Sequence, residues 1–423
     1  MPLPRLRAAL EAIAGSTFSS LAVPDYRRLY FGNMAFQFSN WMQQLTFGWL
    51  LLTIGNSPFW LGVSGSCYAV AMISMGPVGG ALADAWERRR VMMLTQMTAV
   101  VVNAAIALLY WLGGLQIWHL LAAAILMGFS FTLNMPARQS LMAELVPRRL
   151  LHNATAIHTA SMNLSRITGP AIAGALMAAI GALPVLLINL AGNAWTVRQL
   201  TEIRYRPPRP PKPFRLHGGE LLEGFRHCWR QSGLLEILAV VAATNFFGLS
   251  YVYLLPSLAR DALGVGPAGL GLLTSSMGGG ALVGSLVLAR RSGVPHKERF
   301  LGVAATILGL LLFGLGHAGQ LPFAMGALGL IGATSSVITA LGLAAIQERV
   351  PDELSGRVFG IYMLTMGLMP LGSLPAGALA TWLGTAGAIS TWGLACALVS
   401  ACLLAPRLLA ARRLRSEPAR LSS

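Results

Sequence analysis

Apolar runs of about 20 residues, the length that crosses a bilayer as a helix, recur along this chain and alternate with short polar turns. Twelve runs are read, at roughly 29–54, 59–83, 91–112, 117–142, 153–181, 183–203, 233–257, 267–290, 299–318, 321–346, 355–382 and 385–406. Lipid offers the backbone no hydrogen bonds, so such runs close their bonds within helices. The expected fold is all-α and integral to the membrane. Composition excludes an ordinary soluble domain: of 423 residues, 55% are hydrophobic and 11% are charged.

Charge sets the expected orientation. A net charge of +16 points to nucleic acid only when it forms one basic surface. Here Lys and Arg fall in residues 1–28, after spans 2, 4, 6, 8 and 10, and in the tail 407–423. Basic residues mark cytoplasmic loops, so twelve spans with both termini cytoplasmic are expected, and nucleic acid is not a partner. Arg260 is the exception on the opposite side. Residues 1–28 lack the apolar core of a cleavable signal. The longest connection, 204–232, opens with Arg204-Tyr205-Arg206-Pro207-Pro208-Arg209-Pro210-Pro211-Lys212-Pro213, a stiff, solvated linker. An amphipathic surface helix is expected over 221–229. Cys67, Cys228, Cys396 and Cys402 have no metal-ligand spacing and read as small core residues, without disulfides.

The stretches on either side of the linker, 29–203 and 233–406, repeat. Glu144-Leu145-Val146-Pro147-Arg148-Arg149-Leu150 aligns with Glu348-Arg349-Val350-Pro351-Asp352-Glu353-Leu354 at a shift of 204. Ala173-Gly174-Ala175-Leu176, with Gly181 after it, aligns with Ala376-Gly377-Ala378-Leu379 and Gly384 at a shift of 203. Parallel halves joined by a linker are the internal symmetry of a transporter whose substrate path lies between them.

Between spans 2 and 3 stands Gly79-Gly80-Ala81-Leu82-Ala83-Asp84-Ala85-Trp86-Glu87-Arg88-Arg89-Arg90. Its glycines admit a neighbouring helix. Asp84, at a helix end, is costly in lipid unless it pairs with a cation or caps another helix. A carboxylate that joins two helices reversibly is a gate. The stretch resembles the major facilitator superfamily, whose loop between helices 2 and 3 carries G-x-L-a-D-r-x-G-r-k/r. Gly80, Leu82, Asp84, Arg88 and Arg89 fit, whereas Ala85 replaces the usual Arg and Glu87 the usual Gly. Asp25-Tyr26-Arg27-Arg28-Leu29-Tyr30, Pro136-Ala137-Arg138-Gln139, Leu255-Pro256 with Ala259-Arg260-Asp261, and Val350 to Arg357 resemble the drug-antiporter branch that includes the enterobactin exporter and macrolide efflux proteins. In span 5, Gly169-Pro170-Ala171-Ile172-Ala173-Gly174 is similar to the G-P-x-x-G-G element of proton-linked exporters; its other reading is small-residue packing.

The resemblance implies two pseudo-symmetric six-helix bundles in a bacterial inner membrane. It implies a monomer, among membrane lipids, that exports a small amphipathic molecule such as a siderophore, a macrolide or another drug. It implies exchange for protons and no cofactor beyond the proton gradient. Asp84 is expected to pair with or cap the start of span 11, around Ser355 to Arg357, when the protein faces outward. Arg138 is placed to pair with Glu144 or Asp84. The carboxylates expected to titrate are Asp84, Glu144 and Asp25, in that order.

For the substrate path, Asn33, Gln37, Asn40 and Gln44 share one face of span 1, at spacings of 4, 3 and 4. Asn245, Tyr251 and Tyr253 in span 7, Asn134 in span 4 and Asn163 in span 5 are further candidates that read equally as interhelical glue. Arg166 stands near the middle of span 5, where a cation costs about 2.5–3.5 kcal/mol to insert. No carboxylate stands mid-span, so its partner is an amide, a carbonyl or an anionic substrate. His158, two turns earlier, reads as a proton relay or as a structural residue. Phosphate loops, metal-ligand clusters and nucleophile constellations are absent from the sequence, and Gly278-Gly279-Gly280 lies inside a span without the Lys-Ser/Thr of a phosphate loop. An enzyme is therefore not expected. Two other readings stay open: a lysophospholipid or lipid translocator, and a non-transporting receptor or scaffold on the same fold.

Overall fold

The computed structural model of the chain describes residues 17–205, 226, 228–229, 231–290 and 297–416, with side chains at 76–85, 232, 352–353, 355–357 and 405–416 outside the description. The described residues are helical, without strands. The helices are α1 (Pro24–Gly55), α2 (Pro58–Ala85), α3 (Arg88–Trp111), α4 (Ile117–Leu145), α5 (Leu151–Ile180), α6 (Ala182–Glu202), α7 (Ser232–Ala243), α8 (Pro267–Ala289), α9 (Lys297–Leu315), α10 (Leu321–Gln347), α11 (Asp352–Leu371) and α12 (Ser373–Ser416). Proline in the first turn opens α1, α8 and α10, where its missing N–H costs nothing. Among the described residues, eight stretches are long and apolar enough to cross a membrane. The windows that meet this criterion omit α1, α5 and α6. These helices carry buried or half-buried polar groups, among them Asn33, Arg166 and Asn189.

Packing repeats along the chain. In the first part α1 packs on α5 and α6, α2 on α4, and α3 on α4 and α6. In the second, the α7 segment packs on α11 and α12, α8 on α10, and α9 on α10 and α12. The two sets meet where α5 crosses α8 and where α2 crosses α11 and α12. The large apolar side chains left exposed follow helical spacing, as with Leu94, Met97, Val101 and Leu108 on α3 and Phe300, Val303, Ile307 and Leu310 on α9. Such stripes face lipid.

The helices depart from the apolar runs in two places. The run at 233–257 is regular only to Ala243. A π-helical turn (Thr244–Leu249), a 3-10 turn (Ser250–Leu254), one α-turn (Leu255–Ser257) and a second π-helical turn (Leu258–Ala262) follow. Pro256 cannot donate to the helix ladder and its ring crowds the turn before it. The second departure is at Leu371, where α11 ends inside the run at 355–382; α12 opens at Ser373 and holds Gly384 at φ 71°, ψ 164°, a non-helical break that falls where the runs 355–382 and 385–406 part. Gly181, between α5 and α6, has φ 86°, ψ −179°. Both lie in a region open to glycine alone. Since 181 plus 203 is 384, the repeat found in the sequence carries the same backbone device at both positions. The expected surface helix over 221–229 lies mostly outside the described residues; of that stretch, Cys228 is buried and Trp229 exposed.

Candidate functional site

At the Arg-rich end, α3 begins with three arginines that have separate partners. Arg88 pairs with Glu144 at the end of α4. Arg89 donates to the carbonyls of Leu200 and Thr201, both at 2.8 Å, and so closes the end of α6. Arg90 pairs with Glu87 at 2.8 Å. The first pairing has a repeat mate, because Lys297 at the start of α9 pairs with Glu348 at the end of α10, and Glu298 pairs with Arg349 beside it. Asp25, the third carboxylate singled out, pairs with Arg28 at 2.9 Å. The side chains of Gly80, Asp84, Ser355 and Arg357 lie outside the described residues. The helices that carry them, α2 and α11, do pack together.

Arg138 is placed differently from the sequence expectation. Glu144 is taken by Arg88, while Arg138 donates to Asn134 Oδ1 and lies over the Phe36 ring at 3.9 Å. Asn134 in turn donates to Thr95 Oγ1 at 2.6 Å, so it ties α4 to α3. One turn separates residues 134 and 138, which makes the bond local; the aromatic face lies against the buried cation, whose Nε has no partner among the described residues. His158 lies within electrostatic reach of Arg138.

The opposite end is held by two matched crossings. On α5, Gly174 lies against Gly271 and the Pro267 carbonyl of α8; a Cβ on Gly271 would stand 2.6 Å from the Pro170 carbonyl oxygen and 3.2 Å from Gly174 Cα. On α2, a Cβ on Gly62 would stand 2.5 Å from the Ser373 carbonyl oxygen and 3.2 Å from Gly377 Cα. Residues 170 and 174 become 373 and 377 on adding 203, so the two crossings are the same contact made twice. Ser373 reinforces the second by donating to the Gly62 carbonyl at 3.0 Å. The sequence missed Gly62 and Gly271, although Pro58-Phe59-Trp60-Leu61-Gly62 and Pro267-Ala268-Gly269-Leu270-Gly271 share P-x-x-L-G. A Cβ on Gly169 would stand 3.1 Å from the Trp41 Cβ. Arg260 adds a polar tie at the same end: it donates to the Leu52 carbonyl of α1 at 3.0 Å and pairs with Asp261 at 2.6 Å. Asp261 also accepts from Ser257, which meets Thr385.

Between the ends, the polar candidates fall into two groups. Asn33 is buried with Oδ1 unpartnered, Gln37 and Asn40 are half-buried, and Gln44 is exposed. The neighbouring Gln43, not singled out in the sequence, is buried and accepts from Asn103 at 3.0 Å, joining α1 to α3. Asn245 is buried in the first π-turn and donates to Thr365 of α11 at 3.4 Å. Tyr251 is buried and donates to Met277 Sδ at 3.1 Å. Tyr253 is half-buried near Tyr68 of α2, and Asn163 is half-buried on α5. Arg166 is half-buried with its Nε fully enclosed and unpartnered. It lies over Trp41 at 5.6 Å and within electrostatic reach of Tyr251. A Cβ on Gly278 of α8 would meet its backbone carbonyl at 3.0 Å.

Helices packed in a repeated pattern, crossing on glycine around polar side chains withheld from lipid, define a multi-pass membrane transporter. The family model described as "transmembrane secretion effector", of the major facilitator transporters, matches residues 15–420, and the chain belongs to that family. It is a family of transporters and not of enzymes. The staphyloferrin A transporter of Staphylococcus aureus is 25% identical, over 79% of this chain and 84% of its own length. The multidrug efflux pump Tap of Mycobacterium tuberculosis is 28% identical, over 88% and 91%. The enterobactin exporter EntS of Shigella flexneri is 28% identical, over 87% and 88%. A crystal structure of the peptide transporter POT has the same fold, with a TM-score of 0.74, 15% identity, and coverage of 90% of this chain and 94% of that one. With these relatives, the chain is a bacterial multi-pass protein of the inner membrane.

Proposed function

We propose that the chain is a monomeric secondary exporter that moves a small amphipathic molecule out of the cytoplasm by alternating access, in exchange for protons. It crosses the membrane twelve times, as six-helix halves at 29–203 and 233–406 joined by the linker 204–232, with both termini cytoplasmic. Relatives named for siderophore export and drug efflux support the substrate range. The observation that carries the mechanism is the pair of matched glycine crossings. Two equivalent contacts at one end allow the halves to part there as rigid bodies about the centre, and the Arg-rich end is the complementary gate. On this reading the crossings close the outer face, and Asp84 locks α2 to the start of α11 when the outer face opens.

The test is substrate-triggered proton movement in everted vesicles, with a panel of siderophores, macrolides, dyes and lysolipids. Wild type gives a proton signal with at least one class, and Asp84→Asn, inserted at the same level, gives at most about a tenth of its turnover, a loss of ~1.4 kcal/mol or more in transition-state stabilisation. Wild-type turnover in Asp84→Asn sinks the gate. Flux confined to lysolipids, without a proton signal, replaces the exporter with a lipid translocator.

A further inference from the structure

The geometry points to a carboxylate site for the transported molecule at Arg166, with the ring of Trp41 as its other wall. This inference rests on the transport reading and names the substrate class for it. Four observations carry it. Arg166 makes no hydrogen bond or ion pair among the described residues, and its enclosed Nε lacks an acceptor. Its outer amino groups are not enclosed, so an anion can reach the fork from that side, and a cation in the membrane interior favours such a partner. None of the chain's 15 carboxylates is close in sequence to the middle of a span. The described ones sit at helix ends with other partners, as Glu144, Glu202, Asp261 and Glu348 do. The protein therefore brings a cation to its centre and leaves the countercharge to come from outside.

The walls narrow the ligand further. The planar guanidinium fork matches a carboxylate with two parallel hydrogen bonds. Trp41 holds Arg166 by a cation–π contact at 5.6 Å and offers the ligand an apolar face. Trp41 and Arg166 belong to α1 and α5, whereas Tyr251 follows α7 and Gly278 of α8 touches the Arg166 backbone. A ligand on this fork would lie beside the seam between α5 and α8. An amphipathic molecule with a carboxylate beside an aromatic or apolar body fits these walls; a cationic one meets uncompensated positive charge.

The test compares two xanthene dyes of opposite charge, carboxyfluorescein and rhodamine 6G, by fluorescence anisotropy. The full chain is used in phosphatidylcholine nanodiscs, so the probe is the only added anion. Wild type binds carboxyfluorescein saturably. Arg166→Gln weakens that binding at least tenfold, Arg166→Lys falls between the two, and rhodamine 6G binds Arg166→Gln at least as tightly as it binds wild type. No saturable carboxyfluorescein binding to wild type overturns the inference. So does equal binding by wild type and Arg166→Gln, or an equal loss for both dyes. Arg166→Lys keeps the charge if the Gln variant does not fold. Binding is read without flux, so the two readings separate. Arg166-dependent binding without any transport removes the exporter and keeps the site. Rhodamine 6G efflux without carboxyfluorescein binding does the reverse.

Discussion

Gly271→Ala perturbs the α5–α8 crossing with one methyl group. The added Cβ would stand 2.6 Å from the Pro170 carbonyl oxygen, 3.2 Å from Gly174 Cα and 3.3 Å from Ala171 Cα. Ordinary contact begins at 3.4 Å, so the helices must part by about 0.8 Å against backbone atoms that have no rotamer to give. Overpacking of this kind costs about 1–3 kcal/mol. The cost falls on the state in which this end is closed and is relieved when it opens. The closed-to-open ratio should therefore drop by about 5- to 150-fold. Nitroxides at the exposed positions Ala179 and Ala268 report the separation of the two helix ends by pulsed electron resonance. The longer distance should gain population in Gly271→Ala. Gly279→Ala is the control on the same helix, since a Cβ there meets nothing within 4 Å. An unchanged distance distribution with an unchanged melting temperature refutes the reasoning, and so does an equal shift in the control.

Gly62→Ala should act like Gly271→Ala, because its Cβ would stand 2.5 Å from the Ser373 carbonyl and 3.2 Å from Gly377 Cα; a label pair across α2 and α12 that stays closed contradicts the equivalence of the crossings. Arg260→Gln removes the tie to the Leu52 carbonyl. This pair is partly solvated and worth about 0–1 kcal/mol, so the same spectra should shift in the same direction by no more than about fivefold. Asn134→Ala removes the bond that Thr95 accepts and the acceptor of the buried Arg138. It should cost about 1–3 kcal/mol, read as a lower unfolding midpoint in nanodiscs with carboxyfluorescein affinity unchanged; an unaltered midpoint counts against the Asn134 bridge.

The run lengths, the glycine pairs Gly174/Gly377 and Gly181/Gly384, and the solitary cation Arg166 were readable in the sequence because each is a local fact: a length, an offset or a charge without a countercharge nearby. What could not be read depends on geometry across helices. A net surplus of arginine does not say which one Glu144 accepts, and Arg88 at the start of α3, rather than Arg138, meets it at the end of α4. Hydrophobic periodicity carries no trace of the irregular turns after α7. Gly62 and Gly271 escaped because their offset is 209, while the later motifs repeat at 203. From Pro58 to Gly174 is 116 residues and from Pro267 to Gly377 is 110, so the second part is shorter by six residues. A single fixed shift cannot align both ends of such a repeat.

The placement of Arg166 relative to the crossing bears on how a substrate would drive the cycle. Gly174 lies eight residues beyond Arg166 on α5, about 12 Å at the helical rise. Across the interface, Gly271 and Gly278 on α8 are seven residues apart, so one pair of helices carries both the closure and the cation. On the proposed site, a ligand held at Arg166 that drew α5 and α8 together would bear on the glycine contact through the same two helices. A ligand that binds equally well with the crossing open or closed shifts nothing. One that reaches Arg166 fully only when α5 and α8 are close would stabilise the closed crossing, and its departure from the fork would remove that bias. The unpartnered cation thus supplies a reason for the empty protein and the loaded protein to prefer different states, which is the condition for transport by alternating access.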